Sequence, residues 1–332
     1  MHWNVSHIVA VHSCKGGVGK STVAAGLALS LKNNGHSVGI CDLDIYGPNI
    51  ASILGLSNSY VLWKRVHFAE SGIEYDTHGG QDANAFSIGS AATSGGKASC
   101  CSDVCDDIGF TPDETATTCL MEPKEAHGIK VMSFSFIKSE RELGYAAYRG
   151  PIIDQIASEL VLKTDWGRLD YLILDLPPGT GDVIITLMED VNISSLVAVT
   201  TPHELSINDL FKGINLFQDY GVPIVCLVEN MSYFVCDGCD KLHHLFGSID
   251  IDLTLKSLGI SDHVCLPIIP SGVDFVQSFY SNTDVRTKFL EIATLVTNCM
   301  NTNRSQFSSI KSTPRHHIMK KHSPPCSNEI NW

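Results

Sequence analysis

The chain has 332 residues, 44% of them hydrophobic and 18% charged, a composition that excludes a disordered or fibrous protein and supplies ample material for a core. Lysine and arginine number 23 against 36 aspartates and glutamates, so the formal charge of -13 speaks against a broad basic surface for nucleic acid. No apolar run reaches the ~20 residues of a membrane span, and the opening residues lack a basic stretch followed by a cleavable apolar one, so neither insertion nor secretion is expected.

In chain order, short β-branched runs at 8–12, 38–41, 129–134, 171–176, 196–201 and 224–228 alternate with helical stretches at 20–34, 152–162, 204–220 and 284–298. Runs that are apolar without a period of two suit strands buried on both faces of a parallel sheet. The expected fold class is therefore α/β, a mostly parallel central sheet flanked by helices. Two segments interrupt the alternation. Residues 66–127 carry eleven acidic side chains against two lysines among many Gly, Ser and Thr, and read as an irregular acidic insertion in a domain spanning 1–300. Residues 301–332 hold five Lys or Arg and one Glu without apolar periodicity, and read as a disordered basic tail.

The stretch Ser13-Cys14-Lys15-Gly16-Gly17-Val18-Gly19-Lys20-Ser21-Thr22 follows a predicted strand and opens a predicted helix. That context makes it a phosphate loop: its glycines let successive backbone N–H groups turn inward, and the helix N-terminus adds its positive end. Lys20 reaches the β and γ oxygens, and the Ser21 hydroxyl is offered to Mg²⁺. Cys14 stands where the usual pattern has glycine, and Lys15 is the early lysine of the variant loop KGGVGK[ST]. In this the sequence resembles the MinD/ParA superfamily of dimerising P-loop ATPases. The resemblance implies a slow, Mg²⁺-dependent ATPase in which Lys15 acts across a dimer interface on the partner's nucleotide.

Later motifs extend the likeness. Cys41-Asp42-Leu43-Asp44-Ile45-Tyr46-Gly47-Pro48-Asn49 is similar to the first switch of these ATPases, which gives Asp44 the role of orienting the attacking water. The run 169–182 ends a buried strand in Asp175 and continues Pro177-Pro178-Gly179-Thr180-Gly181-Asp182. Asp175 fits the position that supports the Mg²⁺ shell, Gly179 the position that meets the γ-phosphate, and Asp182 a second switch. Together with Arg149-Gly-Pro, Thr200-Thr201-Pro202 and Glu229-Asn230-Met231-Ser232-Tyr233-Phe234-Val235-Cys236-Asp237-Gly238-Cys239, these motifs resemble the Mrp-type iron-sulfur cluster carriers over most of the chain. The resemblance implies that Asn230 contacts adenine and that Cys236 and Cys239 of each subunit of a homodimer hold a bridging [4Fe-4S] cluster, which ATP-driven switching hands to apo-proteins. A heteromer with a related ATPase is an alternative assembly.

On the residues alone the Cys-x-x-Cys leaves several readings open. Two thiolates three residues apart bind one edge of a metal centre, and a two-fold axis can supply the other two. Cys236 and Cys239 with His243 or His244 can instead hold Zn²⁺ within one chain, or the thiols can be idle or redox-active. A structural zinc site would suit a MinD/ParA-like positioning switch. Asp237-Gly238 replaces the proline usual in the carriers. Twelve cysteines without a signal peptide read as reduced thiols, which makes the cytoplasm the expected compartment. Of these, Cys100, Cys101, Cys105 and Cys119 match no metal spacing, Cys226 and Cys265 read as small core residues, and Cys326 lies in the tail.

Overall fold

The computed structural model describes residues 4–69, 72–76, 117–137, 150–236, 238–247, 251–269 and 274–307. The chain divides into two compact units, 62–122 and the remainder. Strand β1 (Asn4–His12) leads through the phosphate loop into α1 (Lys20–Asn33), then β2 (Val38–Asp42) and the short α2 (Ile50–Ile53). The smaller unit contains β3 (Leu62–Ala69), β4 (Gly72–Asp76) and β5 (Thr117–Glu122), antiparallel in the order β4-β3-β5. The larger unit resumes with β6 (Lys124–Ala126), β7 (Ile129–Ser133), α3 (Gly150–Leu162), β8 (Arg168–Asp175), α4 (Asp182–Asp190), β9 (Ser195–Thr200) and α5 (Glu204–Asp219). It ends with β10 (Ile224–Val235), β11 (Leu242–His243), α6 (Ile251–Leu258), β12 (His263–Pro267), α7 (Phe275–Ser281) and α8 (Thr283–Phe307).

The main sheet runs β12-β10-β9-β1-β8-β2-β7-β6, with β11 also paired to the end of β10. Every pairing between β12 and β7 is parallel; β6 and β11 pair antiparallel. The expected fold class is the observed one. All six residues of β9 and the last five of β8 are buried, as residues covered by helices on both faces must be. Because β8 lies between β1 and β2, the carboxyl ends of three strands converge: Val11 pairs with Asp175, and Asp175 with Asp42. This is where open α/β sheets bind ligands.

Helix α1 is buried almost all round, including Leu27, Leu29 and Leu31. Its close fit to α8 needs Gly26, where an added Cβ would overlap the Phe289 ring. Gly26→Val is therefore expected to cost ~1–3 kcal/mol or more through overpacking, read as a lowered urea midpoint at unchanged slope. Among the described residues no helix is long and apolar enough to cross a membrane.

Two expectations are corrected. The segment 66–127 is not irregular at its ends: β3 to β6 lie within or across it, because Leu62-Trp63-Lys64-Arg65-Val66-His67 and Thr117-Thr118-Cys119-Leu120-Met121-Glu122 pair in register across 49 intervening residues, a long-range pairing that local composition hides. The boundary placed after residue 300 falls inside α8, whose helix continues seven residues to Phe307, an end that the polar run 301–307 conceals because it offers no apolar stripe. Residues 77–116 and 308–332 lie outside the described residues, and with them Cys100, Cys101, Cys105 and Cys326; Arg149 does too.

Candidate nucleotide and metal sites

The phosphate loop turns through two left-handed glycines, Gly17 (φ 80°) and Gly19 (φ 84°), a region that costs other residues about 1–2 kcal/mol. Beside Gly16 and Gly17 there is open space, and likewise beside Gly179 and Gly181 in the turn after β8. The Gly179 N–H donates to the Ser13 carbonyl at 3.1 Å, which ties that turn to the loop. Glycines on both walls thus leave a cradle that a phosphate chain can enter.

Lys20, buried at the start of α1, donates to Asp175 Oδ1 at 2.6 Å and lies 3.8 Å from Asp44 Oδ2. The other Asp175 oxygen, Oδ2, is buried without a hydrogen-bond partner. Burial raises the Asp175 carboxyl pKa against the pull of the Lys20 ammonium. Asp42, its neighbour across β2 and β8, is pushed up to about 7 by burial and by the Asp175 charge. Two buried carboxyls side by side, one with an unused oxygen, fit a divalent cation next to the buried Ser21 hydroxyl.

Asp42 is a residue the sequence reading passed over in favour of Asp44. Its Oδ2 accepts from the Ile50 N–H at 3.0 Å and from Ser133 Oγ at 3.2 Å, and its Oδ1 from the Asp44 N–H at 3.3 Å. It pins both ends of the 42–50 loop, so it sets where Asp44 stands. The signal was present as the first carboxylate of Asp42-Leu43-Asp44.

The Cys14 side chain is accommodated outside the loop. Its sulfur packs against α5, where Gly213 leaves the room: a Cβ there would overlap Cys14 Sγ. Burial pushes the Cys14 thiol up to about 11, so it remains protonated. Below it lies His12, 3.7 Å from Cys14 Sγ, which burial and the Lys20 charge push down to about 3, a neutral imidazole under the loop. Gly213→Val is expected to lose roughly 1–3 kcal/mol in urea unfolding, and Cys14→Gly in the same chain to recover part of the loss.

Strand β10 joins this loop to the cysteines. Asn230 Nδ2 donates to the Val18 carbonyl at 2.8 Å. Six residues on, Cys236 opens the hairpin closed by β11, with the Cys236 N–H donating to Lys241 O at 3.0 Å and Asp240 N–H to Cys236 O at 2.9 Å. Asp240 takes φ 56°, the left-handed conformation that lets the turn close. Ligand atoms of Cys236, Cys239 and His243 lie within 4.8 Å of one another. His244 turns the other way, its Nδ1 3.0 Å from the Ser232 carbonyl. The hairpin also exposes Val235, Leu242, Leu245 and Phe246, the last three more than half exposed.

A ParA family model, described as NUBPL iron-transfer P-loop NTPase, matches residues 4–97 and 104–296. The chain belongs to this family. The "Iron-sulfur cluster carrier protein" of Aquifex aeolicus is 31% identical over 296 residues, covering 87% of this chain and 66% of that protein. The "Iron-sulfur cluster transfer protein NUBPL" of Dictyostelium discoideum is 34% identical over 257 residues, covering 77% and 63%. The chain thus spans just under two thirds of the length of these two relatives. A nucleotide-binding protein from Archaeoglobus fulgidus, solved in complex with ADP, superposes with a TM-score of 0.55 at 27% identity, covering 88% of each chain.

For this NUBPL-type NTPase two of the cysteines set aside as core residues differ sharply. Cys226 is buried, and burial holds its thiol far above the usual range. Cys265 is only half-buried and corrects the expectation, because β12, a strand too short to stand out in the sequence, places it opposite Glu229 of β10. Its sulfur lies 3.8 Å from His263 Nε2, and that nitrogen lies 3.5 Å from Glu229 Oε2.

Proposed function

We propose that the chain is an ATP-dependent iron-sulfur carrier that holds a [4Fe-4S] cluster between the Cys236 and Cys239 pairs of two copies and delivers it to apo-proteins. The observation that carries this reading is the course of β10: one strand holds the phosphate loop at Asn230 and presents the thiols at Cys236. Strand β10 thus offers a direct covalent route between the phosphate loop and the thiols. Exposed Val235, Leu242, Leu245 and Phe246 around the thiols suit a second copy facing the first, which supplies the two ligands that one pair leaves missing.

Within the nucleotide site, the backbone N–H groups of Cys14 to Thr22, with Gly16, Gly17, Val18 and Gly19 forming the turn, cradle the phosphates, and Lys20 neutralises them. Bound Mg²⁺ supplies Lewis-acid neutralisation of phosphate charge, and Ser21 and Asp175 are the residues to hold it, Asp42 fixing the loop beside them. Asp44 orients the attacking water, Gly179 meets the terminal phosphate, Lys15 reaches the partner's nucleotide, and Asn230 lies at the base. Hydrolysis serves as a switch: when the terminal phosphate leaves, the turn at Gly179 and the loop at Asp44 lose a ligand they share.

The test is anaerobic reconstitution with iron and sulfide of the native chain and of Cys236→Ala/Cys239→Ala. About two irons per chain in a dimer, lost in the variant while nucleotide affinity stays unchanged, is the expected result. Iron retained by the variant contradicts it. The convergence of His243 on Cys236 and Cys239 favours a second reading, a zinc clip within each chain in a nucleotide-driven positioning switch. One zinc per chain, with no iron taken up, selects that reading.

A further inference from the structure

We infer that Glu229, His263 and Cys265 form a second metal site, separate from the Cys236 hairpin and suited to a zinc-class divalent cation. Their ligand atoms lie within 4.8 Å of one another. Alternation along β12 puts His263 and Cys265 on one face, and the parallel register sets Glu229 directly opposite Cys265. The convergence depends on a bulge: the β10–β12 register shifts between Glu229 and Tyr233, and Met231 takes φ 57°. In regular β-structure residues three apart point to opposite faces. Here Ser232 Oγ instead reaches Glu229 Oε1 at 2.6 Å and holds that carboxylate in place.

The distances fit a coordination polyhedron. Tetrahedral zinc bonded to nitrogen, oxygen and sulfur gives ligand–ligand edges of about 3.4 Å for N–O and about 3.6 Å for N–S. Glu229 Oε2 to His263 Nε2 is 3.5 Å, and Cys265 Sγ to the same nitrogen is 3.8 Å. Carboxylate and thiol thus both face one ring nitrogen, which has at most one proton to give. A cation bound by all three satisfies the set, with a carboxylate, an imidazole and a thiolate as ligands and Ser232 orienting the carboxylate from behind. Glu229 is buried, whereas His263 is 19% exposed, which leaves a path for a cation and for water as fourth ligand. The Ser232 carbonyl also faces His244, so the site stands one hydrogen bond from the Cys236 hairpin.

The test uses the full chain carrying Cys236→Ser and Cys239→Ser, so its outcome is independent of iron-sulfur binding at the hairpin. Titration with Co²⁺ under anaerobic conditions, with Mg-ADP present to cover the nucleotide site, is expected to give one Co²⁺ per chain. The bound ion should show thiolate-to-cobalt absorption and the intense visible bands of a tetrahedral centre. Adding Cys265→Ser should remove the thiolate absorption, and adding Ser232→Ala should weaken binding about 10- to 100-fold, as loss of a partner behind a metal ligand does. Absence of thiolate-linked Co²⁺ in the starting variant overturns the inference, as does thiolate absorption that survives Cys265→Ser in a chain whose circular dichroism is unchanged.

Discussion

Lys20→Met is expected to lower nucleotide hydrolysis by at least ~10²–10³-fold, the usual loss when a positioned cationic or hydrogen-bonding group is taken from a charged transition state. The same substitution should destabilise the fold by ~3–5 kcal/mol, because it removes one partner of a buried pair. Lys20 Nζ sits 2.6 Å from a fully buried Asp175, and Asp42 is packed beside it on the next strand. Without the ammonium two carboxyls remain side by side with no cation facing them. The two effects separate in Lys20→Met/Asp175→Asn. That chain should regain most of the stability in urea unfolding and none of the activity. A double variant as active as the native chain would remove Lys20 from the reaction.

Gly19→Ala is expected to reduce nucleotide affinity more than 100-fold. Gly19 ends the loop at φ 84°, where an alanine costs about 1–2 kcal/mol on its own. The added methyl also overlaps the Asn230 side-chain amide, the group whose nitrogen holds Val18 O. Both the turn of the loop and its brace on β10 are disturbed by one carbon. Asn230→Ala alone should weaken binding more mildly, by about tenfold, through one lost hydrogen bond to a buried carbonyl. Placed together, the two substitutions should be less harmful than their sum, because the second makes room for the first. Titration calorimetry with ADP on the four chains measures this; strict additivity would mean that Asn230 and Gly19 do not share the strain.

Much of this was legible in the residues. A phosphate loop between strand and helix, Asp175 at a strand end and a Cys-x-x-Cys after an apolar run are local patterns, and each appears where its pattern put it. What could not be read locally was what neighbouring strands bring together. Asp42 looked like one more acid of a switch motif until β8 placed Asp175 beside it. Cys14 stands where the pattern has glycine, and the space its side chain fills is supplied by Gly213, 199 positions away. Cys265 looked like core because β12 is five residues long and its partner Glu229 belongs to a motif marked by its asparagine and cysteines rather than by its glutamate. The antiparallel pairing of β3 with β5 is hidden for a similar reason: 49 residues of largely polar chain separate His67 from its partner Thr117.

In the proposed carrier, β10 makes release of the iron-sulfur cargo answer to the nucleotide. The most direct test of this coupling is the rate at which the anaerobically reconstituted chain passes its cluster to an apo-ferredoxin, measured without nucleotide, with ADP and with ATP and Mg²⁺. ATP should change this rate severalfold in the native chain and leave it unchanged in Lys20→Met/Asp175→Asn. A native chain that transfers its cluster at one rate under all three conditions would contradict it.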